Sequence, residues 1–106
     1  MESDSPARRL SAIFMADVVG YSRLMQQDEE GTVAVLQAGR AIFVERFTAH
    51  WGRLVNATGD SILAEFESVV TAVMAAAAIQ KQIGKRIEDL HDDRRMRFRI
   101  GINLKT

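Results

Sequence analysis

The sequence predicts an α+β fold of the ferredoxin-like type, a split βαβ unit in which helices cover one face of an antiparallel sheet. Three observations predict it: an apolar, strand-like run near the start, two long stretches with helical periodicity, and a final segment that alternates apolar and charged residues. In chain order the elements are strand, helices, strand, hairpin strand, helix and strand. Because the chain stops soon after the fourth strand, we expect the fold to be truncated there.

The first strand is predicted from about Arg9 to Asp17, since LSAIFMA is a short apolar run typical of a strand buried on both faces. Two helical pieces follow it, beginning after Gly20. The longer one is predicted from about Asp28 to His50, because its apolar residues recur at three- and four-residue multiples and acidic residues stand at its start.

A hairpin follows, with strands predicted at about Arg53–Ala57 and Ser61–Phe66 and turn-forming residues between them. The long helix after Ser68 is predicted to bury one apolar face. The residues that mark this face are Val69, Val73, Ala76, Ile79, Ile83, Ile87 and Leu90. The last strand, RMRFRIGINL, is predicted to be half-buried because its residues alternate strictly. Its arginines are Arg95, Arg97 and Arg99, and its apolar residues are Met96, Phe98 and Ile100.

The chain has 106 residues, of which 14 are basic and 14 acidic, so its formal net charge is zero. This balance removes any general attraction to nucleic acid or to an anionic membrane. The absence of cysteine excludes disulfides and thiolate metal sites, and no apolar run is long enough to span a bilayer. We therefore expect one cytoplasmic domain over residues 9–106, preceded by a flexible arm at residues 1–8.

Two aspartates stand at matching ends of predicted strands. Asp17 closes the first strand and Asp60 opens the third, and the ferredoxin-like topology makes these strands antiparallel neighbours. Both carboxylates are therefore expected at the same end of the sheet. Taken singly, each is more often a turn former or a helix cap. Held together, they repel one another unless a cation lies between them or one of them takes up a proton. For a cation, an oxygen-only ligand set favours Mg²⁺ or Mn²⁺ over Zn²⁺.

The segment after Asp17 is suited to phosphate. Gly20 allows the backbone to turn sharply, so that the amides from Val19 to Ser22 open a helix whose N-terminus attracts anions. A metal site and a phosphate site would then be contiguous, as a nucleoside triphosphate with bound divalent cations requires.

The arginines of the last strand leave open another interpretation, an RNA-binding sheet. Such sheets stack bases on exposed aromatic side chains, whereas Phe98 is expected on the face opposite the arginines. The alternation therefore favours a solvated or interface strand, and we expect no nucleic-acid partner.

Three segments in order resemble the first half of a class III adenylate/guanylate cyclase catalytic domain of the bacterial type: AIFMADVVGYSRL, GRLVNATGDSILAEF and FRIGINL. The resemblance implies that Asp17 and Asp60, with the carbonyl of Val18, bind two Mg²⁺ or Mn²⁺ ions that serve catalysis. It implies conversion of a nucleoside triphosphate, ATP rather than GTP, to the cyclic nucleotide and pyrophosphate. It also implies a backbone cradle for the triphosphate, formed by Val19, Gly20, Tyr21, Ser22 and Gly59.

The sequence departs from the family pattern in two places. Asn56 stands where the family's base-selecting lysine would be, and is the expected base contact. The stretch that in the family supplies a ribose-positioning asparagine and a transition-state arginine is not among these residues. Because family sites form across a dimer, we expect pairing with a second copy or with another cyclase chain, and no turnover by this chain alone. The alternative is a non-catalytic nucleotide-binding or dimerisation module.

Overall fold

A computed structural model of the chain describes residues 11–87 and 96–105. Four strands and three helices follow one another in the predicted order. Their bounds are β1 Ser11–Val18, α1 Tyr21–Gln27, α2 Glu29–Ala49, β2 Arg53–Thr58, β3 Ser61–Phe66, α3 Val69–Ile87 and β4 Phe98–Lys105. The first strand ends one residue later than predicted. The predicted arm at residues 1–8, its boundary at Arg9, and Leu90 and Arg95 lie outside the described residues.

The four strands form one sheet in the order β2-β3-β1-β4, and each neighbouring pair is antiparallel. This confirms the predicted ferredoxin-like α+β architecture. In the register of the two central strands, Ala16 lies opposite Ile62, so β1 ends at the edge of the sheet where β3 begins. On its other side β1 pairs with β4, with Asp17 opposite Arg99.

The core lies between one face of the sheet and the helices. Alternate residues of β1 and β3 are buried on this side, while the residues between them point to the other face and are partly exposed. Five phenylalanine rings pack together there, with ring centroids 5.0–6.1 Å apart in edge-to-face and tilted arrangements. The rings belong to Phe14, Phe43, Phe47, Phe66 and Phe98. We call the side away from the helices the open face.

The buried face of α3 differs from the predicted one. Ala72, Ala75, Ile79 and Ile83 are buried, whereas Val69 and Val73 are exposed. The prediction was wrong at the start of the helix because its alanine-rich sequence is apolar on every side, so periodicity alone does not select a face. Small alanine side chains at the contact let the helix pack close to the sheet.

The edge strand β2 contains a β-bulge. Arg53 lies opposite Glu65 and Leu54 opposite Ala64, but the next paired residue is Asn56, opposite Leu63, so Val55 has no partner. All six residues of β2 are exposed. The strand thus extends the open face of the sheet at the edge where the sequence predicts a base contact.

Candidate active site

The two predicted aspartates meet at one end of the sheet. Asp60 lies in the turn that leads into β3, and its Oδ2 atom accepts a hydrogen bond of 3.0 Å from the backbone N–H of Val18. The next amide, that of Val19, points the opposite way and donates to the carbonyl of Arg97 at 2.8 Å. Successive amides of a strand point to opposite sides. The Val18 amide therefore faces the β3 side, where the Asp60 carboxylate accepts its hydrogen bond in place of a backbone carbonyl. Asp60 therefore lies next to the residue that follows Asp17.

The turn between β2 and β3 holds Asp60 in this position. Thr58 pairs with Ser61, which leaves Gly59 and Asp60 as the turn. Gly59 has a φ of 57°, in the left-handed region that favours glycine, and a Cβ built on it would meet no atom of the described residues within 4 Å apart from its chain neighbours. The carbonyl of Gly59 accepts a hydrogen bond from Arg40 Nη2. A residue on α2 is therefore in contact with the turn that carries the carboxylate.

Asp17 has a partner that the sequence did not predict. Arg99 Nε donates to Asp17 Oδ1 at 2.9 Å, and the pair lies on the open face with both side chains partly exposed. The hydrogen bond from Arg99 to Asp17, with the negative charges of Asp17 and Asp60, raises the pKa of Arg99. The pairing of β1 with β4 places Asp17 opposite Arg99, so the pair could be identified only from this register.

The loop after β1 makes the sharp backbone turn predicted at Gly20. Gly20 has φ 66° and ψ 36° and is the N-cap of α1, without a side-chain cap. The first amides of a helix have no acceptor within the helix, which leaves those of Tyr21 and Ser22 available to a ligand. The Val19 amide already donates to the carbonyl of Arg97, so in this structure it is not available to the predicted triphosphate cradle.

Asn56 faces the same open side as the aspartate–arginine pair. A cavity of about 420 Å³ lies over the open face, and Asp17, Asn56 and Arg99 contribute polar groups to it. Met15 and Leu63 are among its apolar walls. The side chain of Asn56 accepts a hydrogen bond of 3.2 Å from the hydroxyl of Thr58. The expected base contact and one expected metal ligand therefore line one cavity within a single chain.

The carboxylate and carbonyl oxygens at this end of the sheet are suitable ligands for a divalent cation. Within residues 11–87 and 96–105, no three His, Cys, Asp or Glu side chains cluster as a ready-made metal cage. Mg²⁺ does not require one, because it is usually bound by one or two carboxylates while waters and substrate phosphates complete its shell. Asp17, Asp60 and the carbonyl at the end of β1 supply oxygen ligands alone. This set of oxygen ligands suits a Mg²⁺ ion that binds together with its nucleotide.

No family model matches the chain. A protein named "Putative adenylate cyclase 3" from Rhizobium meliloti (strain 1021) is 45% identical over 105 residues, which are 98% of this chain and 18% of that protein. The crystal structure of an adenylate/guanylate cyclase/hydrolase from Silicibacter pomeroyi matches with a TM-score of 0.82 at 36% identity, over 92% of this chain and 57% of that one. The chain belongs to the class III adenylate/guanylate cyclase catalytic domains.

This cyclase-domain chain spans only part of its relatives. A bacterial light-regulated adenylyl cyclase shares the fold with a TM-score of 0.81 at 17% identity, over 91% of this chain and 53% of that one. The chain thus covers about half the length of these solved cyclase chains and less than a fifth of the curated relative. None of the helices that the structure describes is long and apolar enough to cross a membrane.

Proposed function

We propose that this chain forms the metal- and triphosphate-binding half of a nucleotide cyclase site that converts ATP to cyclic AMP and pyrophosphate. The observation that carries the proposal is the hydrogen bond from the Val18 amide to Asp60, since it brings the second carboxylate beside the residue that follows Asp17. ATP is the substrate we propose because the curated relative is named an adenylate cyclase. Family membership and the oxygen ligands at the sheet end support the cyclase and metal-binding parts of the proposal.

Each group at the sheet end has a defined task in this proposal. Asp17, Asp60 and the carbonyl of Val18 hold two Mg²⁺ or Mn²⁺ ions. When bound, these ions lower the pKa of the ribose 3′-hydroxyl and neutralise the charge that develops as pyrophosphate leaves. The amides of Tyr21 and Ser22, at the start of α1, orient the phosphates. Gly20 and Gly59 allow the backbone to approach the phosphates closely.

Arg99 has a role in the metal-free chain. Its guanidinium offsets the charge of Asp17, which would otherwise face the nearby carboxylate of Asp60 without a counterion. A divalent cation must compete with Arg99 for Asp17. Metal binding is therefore expected to weaken the ion pair between Arg99 and Asp17.

Binding of Mn²⁺ together with a non-hydrolysable ATP analogue tests the proposal. We expect Asp17→Asn and Asp60→Asn each to weaken binding at least about tenfold, because each change removes a charged ligand. The matched control is Glu45→Gln, which removes the same charge from an exposed position on α2 and should leave binding unchanged. Unchanged affinity in both aspartate variants would refute the metal site.

Turnover requires groups that these residues do not include. The family resemblance implies that the partner chain supplies an asparagine and an arginine, and loss of a single charge-stabilising donor at an active site costs roughly 100- to 1000-fold in rate. We therefore expect no cyclic AMP from the 106-residue chain alone. Mixed with a full-length cyclase chain whose two metal aspartates are changed to alanine, it should restore activity. A chain that binds nucleotide but never restores activity would be a non-catalytic module.

A further inference from the structure

Arg40 connects the helix layer to the turn that carries Asp60. It lies within α2, and its Nη2 atom donates a hydrogen bond to the carbonyl of Gly59, the residue directly before Asp60. The contact joins residues that are far apart in the chain, so it is tertiary. Neither the periodicity of α2 nor the family resemblance singles out this arginine.

The helix is held close to the sheet beside Arg40. Gly39, its neighbour, is buried against the ring of Phe98, and a Cβ atom added to Gly39 would lie 3.0 Å from Phe98 Cζ. Phe98 lies opposite Val18 in the β1–β4 register, and Val18 is the residue whose amide binds Asp60. This close approach brings the side chain of Arg40 within reach of the turn.

The guanidinium of Arg40 is partly withdrawn from solvent. Its Nε atom is buried and has no acceptor among the residues that the structure describes. A buried donor without an acceptor costs stability, and an arginine free to turn outwards would avoid that cost. Apart from its two chain neighbours, no described residue has an atom within 4 Å of a Cβ built on Gly59, so side chains from elsewhere in the described residues do not brace that side of the turn. Besides the Thr58–Ser61 pair that closes the hairpin, the contacts described at the turn are those of Arg40 at Gly59 and of Val18 at Asp60.

We infer that Arg40 is a positioning residue, which fixes the Gly59–Asp60 turn so that the Asp60 carboxylate points at the end of β1 and is ready to bind metal. The inference rests on the proposed function for the role of Asp60. Arg40 itself acts through the Gly59 carbonyl and touches neither metal nor nucleotide.

The metal-free chain allows a direct test. The Val18 amide donates to the Asp60 side chain, so its hydrogen-exchange rate reports whether that carboxylate is in place. We expect Arg40→Ala to speed exchange at Val18 by about 3- to 10-fold, the effect of losing one hydrogen bond. Asp60→Ala gives the rate expected when the acceptor is gone. Exchange at Phe14, in the centre of β1, should stay unchanged.

The matched control is Arg46→Ala. Arg46 also lies on α2 and makes a tertiary hydrogen bond, from Nε to Gln82 Oε1 at 2.8 Å, but on the side of α3. It should leave exchange at Val18 unchanged. Arg40→Lys keeps a cationic donor on a long side chain and should restore part of the protection lost in Arg40→Ala. If Arg46→Ala and Arg40→Ala speed Val18 exchange equally, Arg40 has no positioning role and the inference is wrong.

Mn²⁺ titration with the ATP analogue gives the second readout. Arg40→Ala should weaken binding about 3- to 10-fold while Arg46→Ala leaves it unchanged. Normal Val18 exchange together with normal affinity in Arg40→Ala would overturn the inference. If instead the two aspartate variants bind metal normally, the proposed function fails, and the exchange rates still decide whether Arg40 holds the turn.

Discussion

The two faces of the sheet differ in their surroundings: one packs the hydrophobic core and the other carries the candidate site. On the helix side, Phe14 is fully buried and its ring packs against three others at centroid distances of 5.0–6.1 Å. On the open face, the next residue, Met15, is 47% exposed and borders the cavity that also holds Asp17 and Arg99. Neighbouring residues of one strand therefore lie in opposite surroundings. Adjacent residues of β1 therefore contribute to different parts of the molecule, Phe14 to the hydrophobic core and Met15 to the wall of the candidate site.

The largest expected difference between the two faces is obtained by substituting the consecutive residues Phe14 and Met15. Phe14→Ala should lower the free energy of unfolding by about 3–5 kcal/mol, because it leaves a cavity within the ring cluster. Met15→Ala should cost less than about 1 kcal/mol, since half of that side chain is already in water. Urea unfolding followed by circular dichroism measures both. Similar losses in the two variants would show that the open face is covered in solution.

Metal affinity should respond to the counterion of Asp17. Arg99→Ala is expected to strengthen binding of Mn²⁺ alone by about two- to fivefold, because the cation no longer competes with an exposed guanidinium. Arg97→Ala is the matched control, since Arg97 is an exposed arginine two residues earlier in the chain. Isothermal titration calorimetry without nucleotide measures the difference. Equal gains in the two variants would mean that only the general charge changed.

Nucleotide preference should be modest and should depend on Asn56. An amide both donates and accepts hydrogen bonds, whereas the lysine expected from the family only donates, so asparagine distinguishes adenine from guanine less strongly. Competition between ATP and GTP should show a preference below about tenfold, and Asn56→Lys should change it by at least about threefold. A large preference for ATP that survives Asn56→Ala would contradict this assignment.

The smallest expected effect lies at the far end of the open face. A hydrogen bond from Arg53, helped by Ser11, lowers the pKa of Glu65 below its ordinary value of 4.5. Because the folded chain favours the carboxylate, this stabilisation is complete above about pH 4.5 and is lost as pH falls through the lower folded pKa. Wild type should lose stability slightly more than Glu65→Gln between about pH 6 and about pH 3. Equal slopes in urea-unfolding series would exclude the pair as a contributor.

The placement of Asp17 and Asp60 at one end of the sheet could be predicted from the sequence for a physical reason. Strand type and order follow from hydrophobic periodicity and turn residues, and in an antiparallel pair the end of one strand must meet the start of its neighbour. This reasoning brings Asp17 to Asp60 without any knowledge of side-chain contacts, and the hydrogen bond at Val18 agrees with it. The roles of the two carboxylates stay predictions.

Two contacts of the site could not be predicted in the same way. Alternation shows which face Arg99 occupies but not its register against Asp17, because a pattern of period two is unchanged by a shift of two residues. Arg40 is a charged residue within a helix, so its sequence context indicates solvent rather than contact with a turn 19 residues further along the chain. Both contacts depend on tertiary distances that periodicity does not contain.

The bulge at Val55 changes the parity of β2. Counted from Arg53, which lies opposite Glu65 on the open face, regular alternation would turn Val55 to the cavity and Asn56 towards the helices. The unpaired residue reverses that count, so Asn56 lies opposite Leu63 and lines the cavity with Asp17. The side chain that we propose as the base contact therefore faces the cavity because of one extra residue in β2, and a single-residue insertion or deletion in this strand would exchange the residues on its two faces.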